Sequence, residues 1–227
     1  MEDGERRTIR FHEYGEIYSR HGLYEQLFYD RLKCQSPRKV AEILHATLEK
    51  SDGNHSELRV LDLGCGNGMS GEAVAEHGVA RLVGVDIVPA ARDAAFRDRP
   101  GLYDNYYVVD LGDLDDDERA ELEAWSFDCL LTVAALGFGD IPARVLAQGF
   151  ELAGDRAWIA FNIKESFLDP SDDSGFSRMV RELVFSDYMQ LHHMERYRHR
   201  LAIDGKPLYY YAVVARKTGR AMPDGLA

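Results

Sequence analysis

Short apolar runs alternating with helix-length segments constrain this chain more than any other feature. From Arg59 onward the runs RVLDL, RLVGVD, YYVVD, FDCLLTV and RAWIAFNI are separated by stretches with helical patterning. A strand, a helix and a second parallel strand close as a right-handed crossover, and repetition of that unit builds a mostly parallel sheet with helices on both faces. The spacing therefore predicts a doubly wound α/β fold. Helix starts are also legible. Ser36-Pro37 reads as an N-cap followed by proline at the first helical position, with Val40, Ile43, Leu44 and Leu48 on one face. Further helices are expected from about Met69, from Pro89, over Asp115 to Ala124 and over Pro142 to Leu152.

The C-terminal part departs from the alternation. After a helix around Phe176 to Phe185, YMQLHHMERYRHRLAI and PLYYYAVVARK flank DGK, and Asp204-Gly205 is a two-residue hairpin signal. The last strand should thus run antiparallel to its neighbour. Residues 1–35 are polar and aromatic, with Tyr14, Tyr18, Leu23, Leu27 and Phe28 spaced for short amphipathic helices, and read as an N-terminal helical cap. Residues 36–217 then form the main domain and 218–227 a tail; a chain of 227 residues suits one core.

Charge bounds the partners. A formal net charge of −12 repels a phosphate backbone unless a basic patch is set apart. The nearest cluster, RYRHR at Arg196 to Arg200, alternates like the exposed face of a strand, so no nucleic-acid partner is expected. The acidic run DLDDDE, Asp113 to Glu118, reads as a solvated helix start favoured by the macrodipole. Cys34, Cys65 and Cys129 are widely spaced and support neither a disulfide framework nor a zinc motif, which fits a reducing compartment. No apolar stretch reaches the ~18–20 residues that span a bilayer, and the N-terminus is charged, so a cytoplasmic protein with no membrane partner is expected.

The run RVLDLGCGNGMSGEAV places Gly64, Gly66, Gly68 and Gly71 directly after the first apolar strand. Glycine costs roughly 0.5–1 kcal/mol relative to alanine within regular structure, so four together imply close approach of a large polar ligand. Two ligand classes use such a turn with an acid at the end of the second strand. GNGMSG satisfies G-x-G-x-x-G, and Asp86 lies at a distance suited to the ribose of a nicotinamide dinucleotide. Asp62, two residues before Gly64, points the other way: a carboxylate there repels a pyrophosphate but serves an ammonium or a sulfonium. Asp110 ends the third strand, where it can accept a hydrogen bond from an exocyclic adenine amine or cap a loop.

From about Val40 to Lys217 the chain resembles the Rossmann-like, seven-stranded S-adenosylmethionine-dependent methyltransferases. The resemblance rests on VLDLGCGNG, LVGVDIV, VVDLGDL and FDCLLTVAAL. The opening YGEIYSRHGLYE and the ending IDGKPLYYYAVVARK are similar to the small-molecule or Williams-Beuren-region-like branch. The resemblance implies that Asp62, Gly64, Gly66 and Gly68 surround the methionine part of the cofactor and that Asp86 holds the ribose hydroxyls. It implies that Ile87 packs on adenine and that Asp110 and the backbone of Leu111 read its edge. Tyr14 and Tyr18 either close over the cofactor from the cap or pack within it.

Methyl transfer is an in-line displacement, so the protein must bring a nucleophile to ~3 Å and align it. A base is needed only where the nucleophile carries a proton. His21, Lys164, His192 and His193 lie in segments expected to border the crevice and are the candidate bases; no metal-ligand spacing is found. The acceptor pocket is expected between the cap, the loop after FNIKESF and the segment Phe176 to His193. The function implied is methylation of an O or N of a small molecule. A nicotinamide-dependent reductase, a cofactor-binding protein without transfer, and a protein methyltransferase remain as alternatives.

Overall fold

Arg59–Leu63 (β1) is buried toward both sides of the strand and accordingly takes the middle of a seven-stranded sheet. The computed structural model describes residues 8–51, 54–136, 141–169, 171 and 173–223. The other strands are β2 (Arg81–Asp86), β3 (Asn105–Val108), β4 (Phe127–Leu136), β5 (Ala153–Lys164), β6 (Met189–Leu201) and β7 (Pro207–Lys217). The sheet order is β3-β2-β1-β4-β5-β7-β6, and strands β1 to β5 pair in parallel. Strand β7 inserts antiparallel between β5 and β6, with the Asp204-Gly205 turn joining the pair as the hairpin signal implied.

The helices divide between the two faces as side chains alternate along each strand. Val60 faces α3 (Ser36–Lys50) and α4 (Met69–Ala75), packing with Val40, Leu44, Leu48 and Val74. Leu61 and Leu63 face the opposite layer, where Leu122 of α6 (Asp116–Ala124), Phe150 of α7 (Ala143–Leu152) and Met179 of α8 (Phe176–Phe185) close the core. Leu44, Leu122 and Phe150 are fully buried, each stabilising by roughly 1.5–3 kcal/mol. The remaining long helix, α5 (Pro89–Asp98), presents Ala91 and Ala94 to Tyr18, small residues that let the cap approach closely.

The cap contains α1 (Tyr14–Tyr18), α2 (Leu23–Glu25) and a π-helical turn, Gln26–Arg31, gathered on Ile17, Phe28 and Leu32. The acidic run is a helix start as read: Asp115 accepts from the Glu118 amide, and the Glu118 side chain accepts from the Asp115 amide. Two details differ from the sequence reading. Ser36 is not the N-cap of α3; Gln35 holds that place without a side-chain bond, and the buried Ser36 hydroxyl lies between Tyr197 and His199. The RYRHR run alternates only in part. Arg196 and Arg198 are exposed, but a register shift between Arg198 and Arg200 turns Arg200 inward, over the rings of Phe11 and Phe28. All three cysteines are free. Among the described residues no helix is long and apolar enough to cross a membrane.

Candidate cofactor and acceptor cleft

The turn between β1 and α4 is held open by backbone conformation. Gly64, Gly66 and Gly68 have φ of 69°, 55° and 92°, the left-handed region that side chains resist. Space forbids a side chain as well. A Cβ on Gly64 would come 2.7 Å from Ile141 Cδ1 and 3.0 Å from the Ala135 methyl, and one on Gly66 would collide with the Tyr18 hydroxyl. The turn is moored to β2: the Gly64 and Cys65 amides donate to Val85 O at 2.8 and 3.2 Å. The Gly66 amide donates to Asp86 Oδ2 at 2.9 Å, the Val88 amide to Asp86 Oδ1 at 2.9 Å, and Tyr106 Oη donates to Gly66 O at 2.8 Å. Burial pushes the Asp86 carboxyl up, against the amides that favour its charged form. Each Asp86 oxygen keeps a further lone pair for a hydroxyl donor.

These groups form one wall of a cleft of about 390 Å³. Gly64 to Asn67, Asp86 to Val88 and Val109 to Leu111 line it on that side. Tyr14, Tyr18, Tyr24, Tyr29, the β4 end from Val133 to Ala135, and Ile141, Pro142, Arg144 and Val145 around the start of α7 line the other. The cap tyrosines pack face to face, Tyr14 with Tyr18 at 6.2 Å and Tyr18 with Tyr24 at 4.8 Å between centroids. Burial raises the Tyr18, Tyr24 and Tyr29 phenols above their ordinary range, so they stay protonated. Polar contacts fasten the cap to the glycine turn. Asn67 Nδ2 donates to Glu25 Oε1 at 2.6 Å, and Arg99 bridges Glu25 at 3.0 Å, Glu72 at 2.9 Å and Asn67 O at 3.0 Å.

The structure separates the expected site residues. Gly64, Gly66, Asp86, Ile87, Asp110, Leu111, Tyr14 and Tyr18 all line the cleft, and Ile87 does so while 61% exposed. Asp110 also closes its own loop, its Oδ1 accepting from the Gly112 amide at 2.8 Å. Gly68 does not line the cleft; it packs against Leu102, Arg99 and Tyr103. Asp62 does not line it either. Strand alternation turns Asp62 to the α4 side with Val60, where Tyr103 Oη donates to it at 2.8 Å and Ser70 Oγ at 3.5 Å. Burial lifts the Asp62 carboxyl to about 7, with those hydroxyls opposing.

The candidate bases lie elsewhere. His21 is 3.8 Å from Asp98 and mostly exposed, Lys164 ends β5 over the Phe167 ring, and His193 faces Glu195 at 3.4 Å on the outer strand β6. His192 packs on Trp158. Among the described residues none of them lines the cleft, nor do those of the loop after FNIKESF or of the segment Phe176 to His193, where α8 sinks Phe176, Met179 and Leu183 into the core. Sequence reading missed Tyr24, Tyr29, Asn67 and Glu25. The signal for the tyrosines was their recurrence through the cap; Asn67 sat unremarked among the glycines.

A glycine turn after the central strand, a carboxylate at the end of the next, and an antiparallel hairpin at the sheet edge define the fold of S-adenosylmethionine-dependent methyltransferases. The sequence model of a methyltransferase-domain family matches residues 32–202, and the chain belongs to that family. A curated relative, 18S rRNA (guanine-N(7))-methyltransferase of Mus musculus, is 36% identical over 139 residues, 53% of this chain and 46% of the relative. The chain thus spans about half the length of the curated relative it matches. Among solved structures, magnesium protoporphyrin IX methyltransferase of Synechocystis with bound S-adenosylmethionine is 15% identical, with a TM-score of 0.58 over 92% of this chain and all of that one. An S-adenosylmethionine-dependent methyltransferase of Anabaena variabilis is 13% identical, with a TM-score of 0.57 over 94% of this chain and 97% of that one. At such identities the likeness concerns the fold, not the branch within the class.

Proposed function

We propose that the protein transfers a methyl group from S-adenosylmethionine to a nitrogen or oxygen of a small-molecule acceptor held under the cap. The observation that carries this reading is the division of the cleft. A glycine turn and the Asp86 carboxylate form one wall, and four tyrosines with the apolar end of β4 form the other. Bound there, the cofactor would supply a methyl carbon on a sulfonium, which the acceptor's nitrogen or oxygen would attack in line as the carbon–sulfur bond breaks and the sulfur leaves as the thioether of S-adenosylhomocysteine. Asp86 accepts from the ribose hydroxyls, Ile87 covers one face of the adenine, and Leu111 with Asp110 meets its edge. The turn from Gly64 to Asn67 admits the methionine part, while Asp62 lies behind it and reaches the cleft wall only through Ser70. Tyr14, Tyr18, Tyr24 and Tyr29 exclude water and align the acceptor, whose approach is the main catalytic requirement.

A second reading is favoured by the mouse relative, which by its name methylates a guanine of ribosomal RNA. The expectation of no nucleic-acid partner therefore draws no support from the comparisons. The net charge of −12 still opposes unaided binding to a phosphate backbone, and a basic partner subunit would relieve it. Calorimetric titration with S-adenosylhomocysteine, NADH and NADPH tests the cofactor, and binding of a nicotinamide nucleotide alone overturns the reading. Methyl-labelled cofactor offered with a small-molecule extract and with ribosomal RNA tests the acceptor. Label in the small-molecule fraction supports the first reading, and label in RNA the second.

A further inference from the structure

The structure assigns Asn162 a positioning role: through Ala134 it holds the end of β4 in the shape that the cofactor cleft requires. This inference rests on the cofactor reading above. Ala134 has φ of 61°, a left-handed conformation that a β-carbon disfavours. It sits inside an irregularity of β4, which leaves its ladder with β5 at Thr132 opposite Phe161 and rejoins at Leu136 opposite Ile163. Val133, Ala134 and Ala135 line the cleft, and the Ala135 methyl abuts the space above Gly64. A strained residue at a ligand wall persists only where its surroundings hold it.

Asn162 supplies the hold. It is fully buried on β5, and its Oδ1 accepts from the Ala134 amide at 2.7 Å. Because a backbone amide can only donate, the side-chain orientation is settled, and Nδ2 must donate to Tyr197 Oη at 2.7 Å. The Tyr197 proton then goes to Ser36 Oγ at 2.6 Å, and the Ser36 proton to His199 Nδ1 at 2.5 Å. Each hydroxyl proton in this chain has an acceptor. It stays consistent only while His199 is neutral, and burial, with Arg200 adding to it, pushes that imidazole down to about 3. The network also explains why Ser36 does not cap α3: its hydroxyl completes a line running from β6 through β5 to the cleft.

The test separates strain from general stability. Glycine adopts the Ala134 conformation without a β-carbon penalty, so Ala134→Gly should make the site independent of Asn162. S-adenosylhomocysteine affinity by calorimetry and melting temperature are measured for the wild type, Asn162→Leu, Ala134→Gly and the double variant. Asn162→Leu is expected to weaken binding roughly tenfold and to lower the melting temperature. In the double variant the affinity should return to within about threefold of the wild type, while the melting temperature stays low because the residue-134 amide and the Tyr197 oxygen have both lost their partner in Asn162. If Asn162→Leu does not fold, Tyr197→Phe takes its place, with the same rescue expected. Unchanged affinity in the single variant, or a loss that glycine does not restore, overturns the inference. Failure of the wild type to bind overturns the cofactor reading and this inference with it.

Discussion

Removal of the Asp86 carboxylate perturbs the cleft at its best-defined point. In the free protein the two oxygens each accept one amide, from Gly66 and Val88, at 2.9 Å. Asp86→Ala removes those acceptors and the lone pairs proposed for the ribose hydroxyls. A hydrogen bond to a charged group contributes about 1.5–3 kcal/mol, so cofactor affinity should fall by roughly 10 to 150-fold. The Gly66 amide is also left without its acceptor at the turn, which is expected to lower stability by about 1–2 kcal/mol. Asp86→Asn keeps a carbonyl oxygen for one amide and should be the more stable variant, yet it loses the charge and should still bind weakly. Calorimetry with S-adenosylhomocysteine reads affinity, and thermal melting reads stability. Wild-type affinity in Asp86→Ala, with the protein folded, would refute the placement of the ribose.

Gly66→Ala meets both a φ of 55° and the Tyr18 hydroxyl, so it should cost about 1–2 kcal/mol of stability and at least tenfold in S-adenosylhomocysteine affinity; calorimetry and melting check both. The Asp62 carboxyl is raised in the folded state to about 7, so its contribution is intact below the ordinary value of 3.8 and is lost as pH rises toward 7. Asp62→Asn should therefore increase unfolding free energy at pH 8 by an amount on the order of 1–3 kcal/mol, read as a higher melting temperature, and do much less at pH 4; a gain independent of pH would contradict this. His45, His55 and His77 cluster with centroids 4.3 to 5.5 Å apart, and burial, then the neighbouring imidazoles, lowers the His55 and His77 pKa. A lowered imidazole favours the fold above the unfolded value of 6.5 and withdraws that contribution as pH falls through the folded value, so the melting temperature should drop on acidification and His55→Gln should blunt the drop.

The parts of the site that were legible in the sequence are those set by local chemistry. An apolar strand leading into closely spaced glycines, and an acid at the end of the next apolar run, needed no tertiary information, and Gly64, Gly66 and Asp86 lie together in the cleft. The hairpin was equally local, because Asp204-Gly205 specifies a turn. What the sequence left hidden depends on distant partners. Asp62 is engaged by Tyr103, 41 residues away, and the face it takes follows from the register of β1. Ser36 was a plausible cap until Tyr197 and His199, more than 160 residues later, claimed its hydroxyl. His193 belongs to a segment expected to border the crevice, but β6 lies beyond β7, so two strands separate it from β4 and the cleft wall.

The cap accounts for the difference between knowing the cofactor class and knowing the acceptor. Its tyrosines are amphipathic-helix residues in sequence, and only packing turns four of them toward one cleft. That packing is tied to the glycine turn at both polar and apolar contacts, through Arg99 with Glu25 and Asn67, and through Tyr18 against Gly66. Arg97 fixes the same helix by donating to Tyr18 O at 3.1 Å. A change of cap side chains can therefore reshape the wall proposed for the acceptor while the turn, Asp86 and the β4 end keep their places. Selectivity among acceptors should thus respond to Tyr14, Tyr24 and Tyr29 far more than to the strands, and S-adenosylhomocysteine affinity should respond in the opposite order.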